Sequence, residues 1–115
     1  MEACFLRGAE QGWEDLGGGV QRQVLGHDDA LMMVRVRFEP GAVGAVHQHP
    51  HRQVTHVDAG RFEVEIGGVR QILEAGDSFF VPPNVPHGVT ALEEGTLLDV
   101  FAPARADFLS GETER

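Results

Sequence analysis

Residues 41–60 read GAVGAVHQHPHRQVTHVDAG, and four of the six histidines of the chain, His47, His49, His51 and His56, fall within ten positions of it. Successive side chains of an extended segment point to opposite faces, so His47 and His49 share a face and can converge on one point. That is the geometry of a metal site. Pro50 bends the chain just after the pair, which lets Gln53 return toward the same point. A further ligand has to come from elsewhere in the chain.

Outward from this stretch the sequence is a series of short alternating runs. Residues 20–25 alternate apolar with polar, and residues 31–38 do so more clearly, with Met32, Val34, Val36 and Phe38 on one side and Met33, Arg35 and Arg37 on the other. The same pattern predicts strands over 42–47, 54–59, 61–66, 69–73, 78–81, 87–91 and 96–101. Turn compositions separate them, such as AG at 59–60, AGD at 75–77 and PPN at 82–84. Gly67-Gly68 reads as a two-residue hairpin turn. Many short strands with almost no helical periodicity predict an all-β fold, a barrel or a sandwich, in a single domain. The expected organisation is a loop segment over 1–19, a barrel over 20–109 and a polar, disordered tail over 110–115. Within the first segment Gly17, Gly18 and Gly19 read as a flexible entry, since no phosphate-loop lysine follows, and Trp13 as a cover for a barrel end. A helical turn is expected only over 104–109.

The formal net charge of −9 argues against nucleic acid or an anionic membrane as partner. A small anion remains admissible, provided a metal or an arginine reverses the sign locally. No apolar run approaches the length of a membrane span and the first ten residues lack the pattern of a signal peptide, so a cytoplasmic protein is expected. The single cysteine, Cys4, cannot form an internal disulfide and has no evident base beside it.

Residues 76–91, GDSFFVPPNVPHGVTA, contribute His87. Together the two stretches resemble the paired motifs of the cupin superfamily, with Gly41, His47, His49, Gln53 and Gly60 in the first and Gly76, Pro82 and His87 in the second. Asn84 stands where that family usually has glycine. The resemblance implies a small antiparallel jelly-roll barrel that brings His47, His49, Gln53 and His87 to one metal. Glutamate is the usual fourth ligand, and the neutral amide of Gln53 leaves the full charge on a divalent ion, which favours an anionic substrate. The set departs from the two-histidine, one-carboxylate face of non-haem iron oxygenases and suits zinc, nickel, iron or manganese. His51, beside Pro50, falls outside the ligand positions as a solvated or supporting residue; His56 points either into the cavity or to core or surface.

The last strand, in TLLDVFAPARADFL at 96–109, places Asp99 and Phe101 on one face and Leu98 and Val100 on the other. A carboxylate within an apolar run is costly unless it is hydrogen-bonded, exposed or functional. Arg105 follows where it can fork onto a carboxylate ligand, or pair with Asp99 and tie down the tail; spacing leaves both open. Over residues 16–109 the chain, through VQRQVLG, VRVRFEPGAVG, HQHPHRQ, LEAGDSFFVPPNVPHG and DVFAPARADFL, is similar to the KdgF-type cupins of pectin and alginate breakdown. In that family glutamine at the fourth metal position is normal, and its functional aspartate, phenylalanine and arginine match Asp99, Phe101 and Arg105. His56 stands where an aromatic residue, often tyrosine, is expected. The resemblance implies metal-dependent ring opening and ketonisation of 4,5-unsaturated monouronates to 5-keto-4-deoxyuronate, by a homodimer paired through sheet edges. The other readings are a different metal-dependent cupin enzyme, a dioxygenase or isomerase, and a non-catalytic cupin that binds a small molecule.

Overall fold

The computed structural model describes residues 3–109. Ten strands are formed: β1 (Glu14–Gly17), β2 (Val20–His27), β3 (Met32–Phe38), β4 (Val43–His47), β5 (Arg52–Ala59), β6 (Arg61–Ile66), β7 (Val69–Glu74), β8 (Ser78–Val81), β9 (His87–Ala91) and β10 (Gly95–Ala102). Helix is confined to a 3-10 turn, Gly8–Glu10, and to α1, Ala106–Leu109, among the described residues. Among the described residues no helix is long and apolar enough to cross a membrane. The strands pair antiparallel in a six-stranded sheet, β1-β2-β3-β10-β5-β8, and a four-stranded sheet, β4-β9-β6-β7.

Burial follows the alternation read from the sequence. Met32, Val34, Val36 and Phe38 of β3 are fully buried while Met33 and Arg37 are exposed, because only one face of a half-solvated sheet meets the core. The inward rows of the two sheets interdigitate, and the rings of Phe38 and Phe62 meet edge-on at 5.2 Å, a favoured aromatic geometry that joins β3 to β6. The Gly67-Gly68 turn closes β6 on β7 as expected, both residues having positive φ.

Two features of the first segment differ from expectation. Gly18 and Gly19 form a second two-residue turn of the same kind, with φ of 62° and 85°, between the paired residues Gly17 and Val20. The glycine run is thus a hairpin, and β1 extends the large sheet by one strand. Trp13 lies under the guanidinium of Arg37, at 4.0 Å on the outer face of β3, instead of covering a barrel end. The buried amide of Gln23 holds this segment in place, donating to the carbonyls of Gly8 (2.7 Å) and Gln11 (3.1 Å) and accepting from Arg35 (2.6 Å). The polar tail at 110–115 lies outside the described residues.

The barrel interior is graded along the strands. β5 turns Gln53, Thr55 and Val57 inward and β10 turns Leu97, Asp99 and Phe101 inward, with Gln53 opposite Phe101, Thr55 opposite Asp99 and Leu97 opposite Val57. Val57, Leu97, Phe38 and Phe62 make the apolar part; Gln53, Thr55 and Asp99 make the polar part.

A bulge sets the remaining wall. Between the pairs Gly44–Val89 and His47–His87, β4 carries two residues, Ala45 and Val46, where β9 carries only Gly88. Strict alternation from Gly44, which is buried, would turn His47 outward; the extra residue turns it in, opposite His87. Gly88 permits the close approach, since a Cβ there would stand 2.9 Å from the Gly44 oxygen and 3.0 Å from the Val46 nitrogen. Gly88→Ala should therefore destabilise the fold by about 1–3 kcal/mol, as overpacking against backbone does, and lower Tm on the order of 5–15 °C. Thermal unfolding followed by circular dichroism checks this, and an unchanged Tm would show that β4 yields freely.

Candidate metal centre

His47 ends β4, His49 lies in the bend before Pro50, and His87 opens β9. A backbone carbonyl orients each ring. The Nδ1 of His47 lies 2.8 Å from the Ala45 oxygen, that of His49 3.1 Å from the His51 oxygen, and that of His87 2.9 Å from the Val85 oxygen. A carbonyl only accepts, so in the neutral form of each ring the hydrogen sits on Nδ1 and the lone pair on Nε2. The three histidines offer ligand atoms within 4.8 Å of one another. Ring centroids are separated by 4.5 Å for His47 and His87, 4.8 Å for His49 and His87, and 5.5 Å for His47 and His49.

Gln53 completes the cluster from β5. Its Oε1 lies 3.1 Å from Nε2 of His49 and 3.1 Å from Nε2 of His87. An amide oxygen carries no hydrogen, so these contacts set lone pair against lone pair, an arrangement that a cation in their midst turns from repulsive to favourable. The donor set of three imidazoles and one amide oxygen thus fits a divalent ion. Burial, and then the positive charge of Arg105, hold the His49 imidazole below its ordinary pKa of 6.5, against opposing hydrogen bonds, which favours the neutral form that binds metal.

The two motifs meet at the backbone. Asn84 adopts the left-handed φ of 64° that asparagine tolerates better than most residues, and its N–H donates to the His49 carbonyl at 2.7 Å. The asparagine found where cupins usually have glycine is accommodated in this way.

Behind Gln53 lies a buried polar chain. Gln53 Nε2 donates to Thr55 Oγ1 at 2.8 Å, Thr55 Oγ1 donates to Asp99 Oδ1 at 2.6 Å, and Gln53 Nε2 also reaches Asp99 Oδ1 at 3.4 Å. Asp99 is fully buried, on the inward face of β10 that the sequence assigns to it. Phe101, two residues on, meets the ring of His49 edge-on at 5.7 Å and lines the same space. Thr55 carries no signal of its own in the sequence; its parity with Gln53 along β5 was the clue.

Arg105 is buried, but its salt bridge is with Asp107. The guanidinium forks onto that carboxylate, Nε to Oδ1 at 3.0 Å and Nη2 to Oδ2 at 2.7 Å. It lies over the rings of Phe101 (5.3 Å) and Phe108 (4.3 Å). Phe108 of α1 is also stacked by Arg22, at 3.8 Å, and Arg22 in turn pairs with Glu14 of β1 at 2.9 Å. Among the described residues no group accepts a hydrogen bond from the buried Nη1 of Arg105. Burial raises the Asp107 carboxyl, but the hydrogen bonds and charge of Arg105 outweigh it and hold the group below its ordinary pKa of 3.8. His51 is half-buried and serves the cluster through its carbonyl on His49; its own imidazole is pushed down by burial and then by Arg105. His56 is exposed, on the outward face of β5 with Val54, and takes no part in the interior.

Residues 34–101 match the cupin domain model. The chain is 49% identical over 102 residues to the pectin degradation protein KdgF of Dickeya dadantii (strain 3937), covering 87% of this chain and 93% of that protein. Two solved structures align with a TM-score of 0.90: an RmlC-like cupin from Shewanella frigidimarina, 48% identical over 93% of this chain and 96% of the other, and KdgF from a Halomonas species, 40% identical over 93% and 99%. With its jelly-roll sheets, its two histidine-bearing motifs and these relatives in agreement, the chain belongs to the cupin family, among the KdgF-type proteins.

Proposed function

We propose that the protein opens 4,5-unsaturated monouronates and converts the resulting enol to the 5-keto-4-deoxyuronate, a reaction belonging to pectin and alginate breakdown. The observation that carries this reading is the closeness of a three-histidine and amide donor set to a buried arginine, with Phe101 between His49 and Arg105, whose Nη1 meets no acceptor among the described residues. Both features fit a small carboxylate. The relationship to KdgF proteins supports a uronate as that carboxylate.

His47, His49, Gln53 and His87 would hold a divalent ion, zinc, nickel, iron or manganese, that supplies Lewis acidity toward an anionic sugar. Arg105 orients the carboxylate through Nη1 while Asp107 fixes the guanidinium from the other side. Phe101 packs on the sugar and keeps water from it. Asp99 takes the proton from the anomeric hydroxyl as the bond between C1 and the ring oxygen breaks. C1 becomes an aldehyde, and the electrons of that bond pass to the former ring oxygen, leaving an enolate over C4 and C5. The same proton, delivered to C4, gives the 5-ketone, so the reaction is an isomerisation with no other reactant.

Asp99→Asn retains an acceptor for Thr55 and Gln53 while removing the base. It should keep bound metal and lose at least about 10²-fold in kcat, the low end of what general acid–base catalysis supplies. Decay of the ultraviolet absorbance of an unsaturated uronate, read with metal content, checks both; near-normal turnover would remove Asp99 from the role.

Asp107→Asn should free the guanidinium and raise KM about tenfold, a cost of about 1.4 kcal/mol, with a smaller change in kcat. Because the folded pKa of Asp107 is depressed, its contribution is fully present above the unfolded value near pH 4 and is lost as pH falls through the lower folded value. The wild-type KM should therefore be flat with respect to Asp107 from pH 5 to 8, and a KM unchanged in the variant over that range would contradict this role.

A further inference from the structure

Gln53 presents a choice that its own shape does not settle. The amide has an oxygen at one corner and an NH2 at the other, nearly alike in size, and only the oxygen can serve a metal. Without a metal the wrong choice is attractive, since a flipped amide would donate its hydrogens to the lone pairs on Nε2 of His49 and His87, both 3.1 Å from the corner that faces them. The centre would then satisfy itself and stand closed to the ion.

The residue behind Gln53 decides the matter. Thr55 Oγ1 lies 2.6 Å from Asp99 Oδ1 and 2.8 Å from Gln53 Nε2. A hydroxyl has one hydrogen, and the short contact from Thr55 Oγ1 to Asp99 Oδ1 uses it, so the hydrogen of Thr55 is committed to Asp99. Its oxygen can then only accept from Gln53. An amide oxygen turned toward Thr55 would meet two acceptors, the hydroxyl oxygen and Asp99 Oδ1, with no hydrogen between them. Gln53, Thr55 and Asp99 are each at most 1% exposed, so solvent does not relieve the mismatch.

We propose that Thr55 is a positioning residue of the metal centre, transmitting hydrogen-bond direction from Asp99 to Gln53 so that the amide oxygen stays turned toward the three histidines. The inference rests on the reading of His47, His49, Gln53 and His87 as the ligand set. It assigns a role to a side chain that touches neither metal nor substrate.

Thr55→Val keeps the shape and removes the relay; Thr55→Ser keeps the hydroxyl. With Co2+ as probe, competed against a chelator on the metal-free protein, Thr55→Val should bind about 10–100-fold more weakly, the usual effect of losing a group that orients a ligand. Thr55→Ser should bind within about threefold of the wild type, well inside the spread expected for a retained partner. Equal affinity for wild type and Thr55→Val, or equal weakness of Thr55→Ser and Thr55→Val, overturns the proposal. A second measurement needs no metal. In the metal-free wild type the side-chain NH2 protons of Gln53, assigned by their loss in Gln53→Glu, should show nuclear Overhauser contacts to the Thr55 methyl, and in Thr55→Val to the ring protons of His49 or His87. NH2 protons against the histidines already in the wild type would overturn the proposal, whereas failure of the wild type to take up Co2+ with the amide on Thr55 would sink only the ligand-set reading.

Discussion

The pairing of β5 with β10 is the constraint on which the interior depends, since it places Thr55 opposite Asp99 and Gln53 opposite Phe101. Side chains alternate with a period of two, so a slip of one residue would turn all of these outward. β10 alone does not resist the slip, because Leu98 and Val100 are as apolar as Leu97 and Phe101. β5 does: Arg52, His56 and Asp58 occupy its outward face, and burying them in exchange for Gln53 and Thr55 would strand charge inside the barrel. The solubility of one strand's outer face thus secures the chemistry of two strands' inner faces.

A polar group left unpaired in such an interior costs about 1–3 kcal/mol. The cluster avoids much of this cost by drawing on backbone that secondary structure leaves over. Ala45, in the bulge of β4, holds His47; His51, past the bend at Pro50, holds His49; Val85, just before β9, holds His87. Each ring is therefore oriented by a carbonyl only two residues away, and the barrel has to deliver three short segments to one place without also specifying three rotamers from afar. The contact from Asn84 to the His49 carbonyl locks two of those segments together.

The sequence carried much of the fold and part of the centre. Alternation located all nine expected strands to within two residues at each end, because a strand buried on one face writes its period into the chain. It failed where the pattern is brief or broken. β1 offers four residues before a glycine run, too few to show a period, although adjacent glycines, Gly18 and Gly19, directly before the alternating run of β2 are a turn signal. The bulge at Ala45 and Val46 is invisible to alternation, so His47 and His49 were correctly brought together on reasoning that assumed a straight strand; the actual path uses an extra residue and then a bend. His56 could not be placed until the register of β5 was known. Asp107 was missed as the partner of Arg105 because Asp99 drew attention as the carboxylate in an apolar run, and the helical turn that brings residues 105 and 107 together is only four residues long.

The Gln53–Thr55–Asp99 chain alters how the missing glutamate of the first motif is understood. Relative to a cupin with glutamate among its ligands, this cluster has not lost a carboxyl group; it stands one hydrogen bond further back, on Asp99, which accepts from both Gln53 and Thr55. A glutamate at position 53 would put a second carboxyl group beside that of Asp99, whose Oδ1 now lies 3.4 Å from Gln53 Nε2, in a buried site where like charges repel strongly. The two positions are thus alternatives for a single negative charge. Placed behind the amide, such a charge would offset a bound cation without occupying a coordination position.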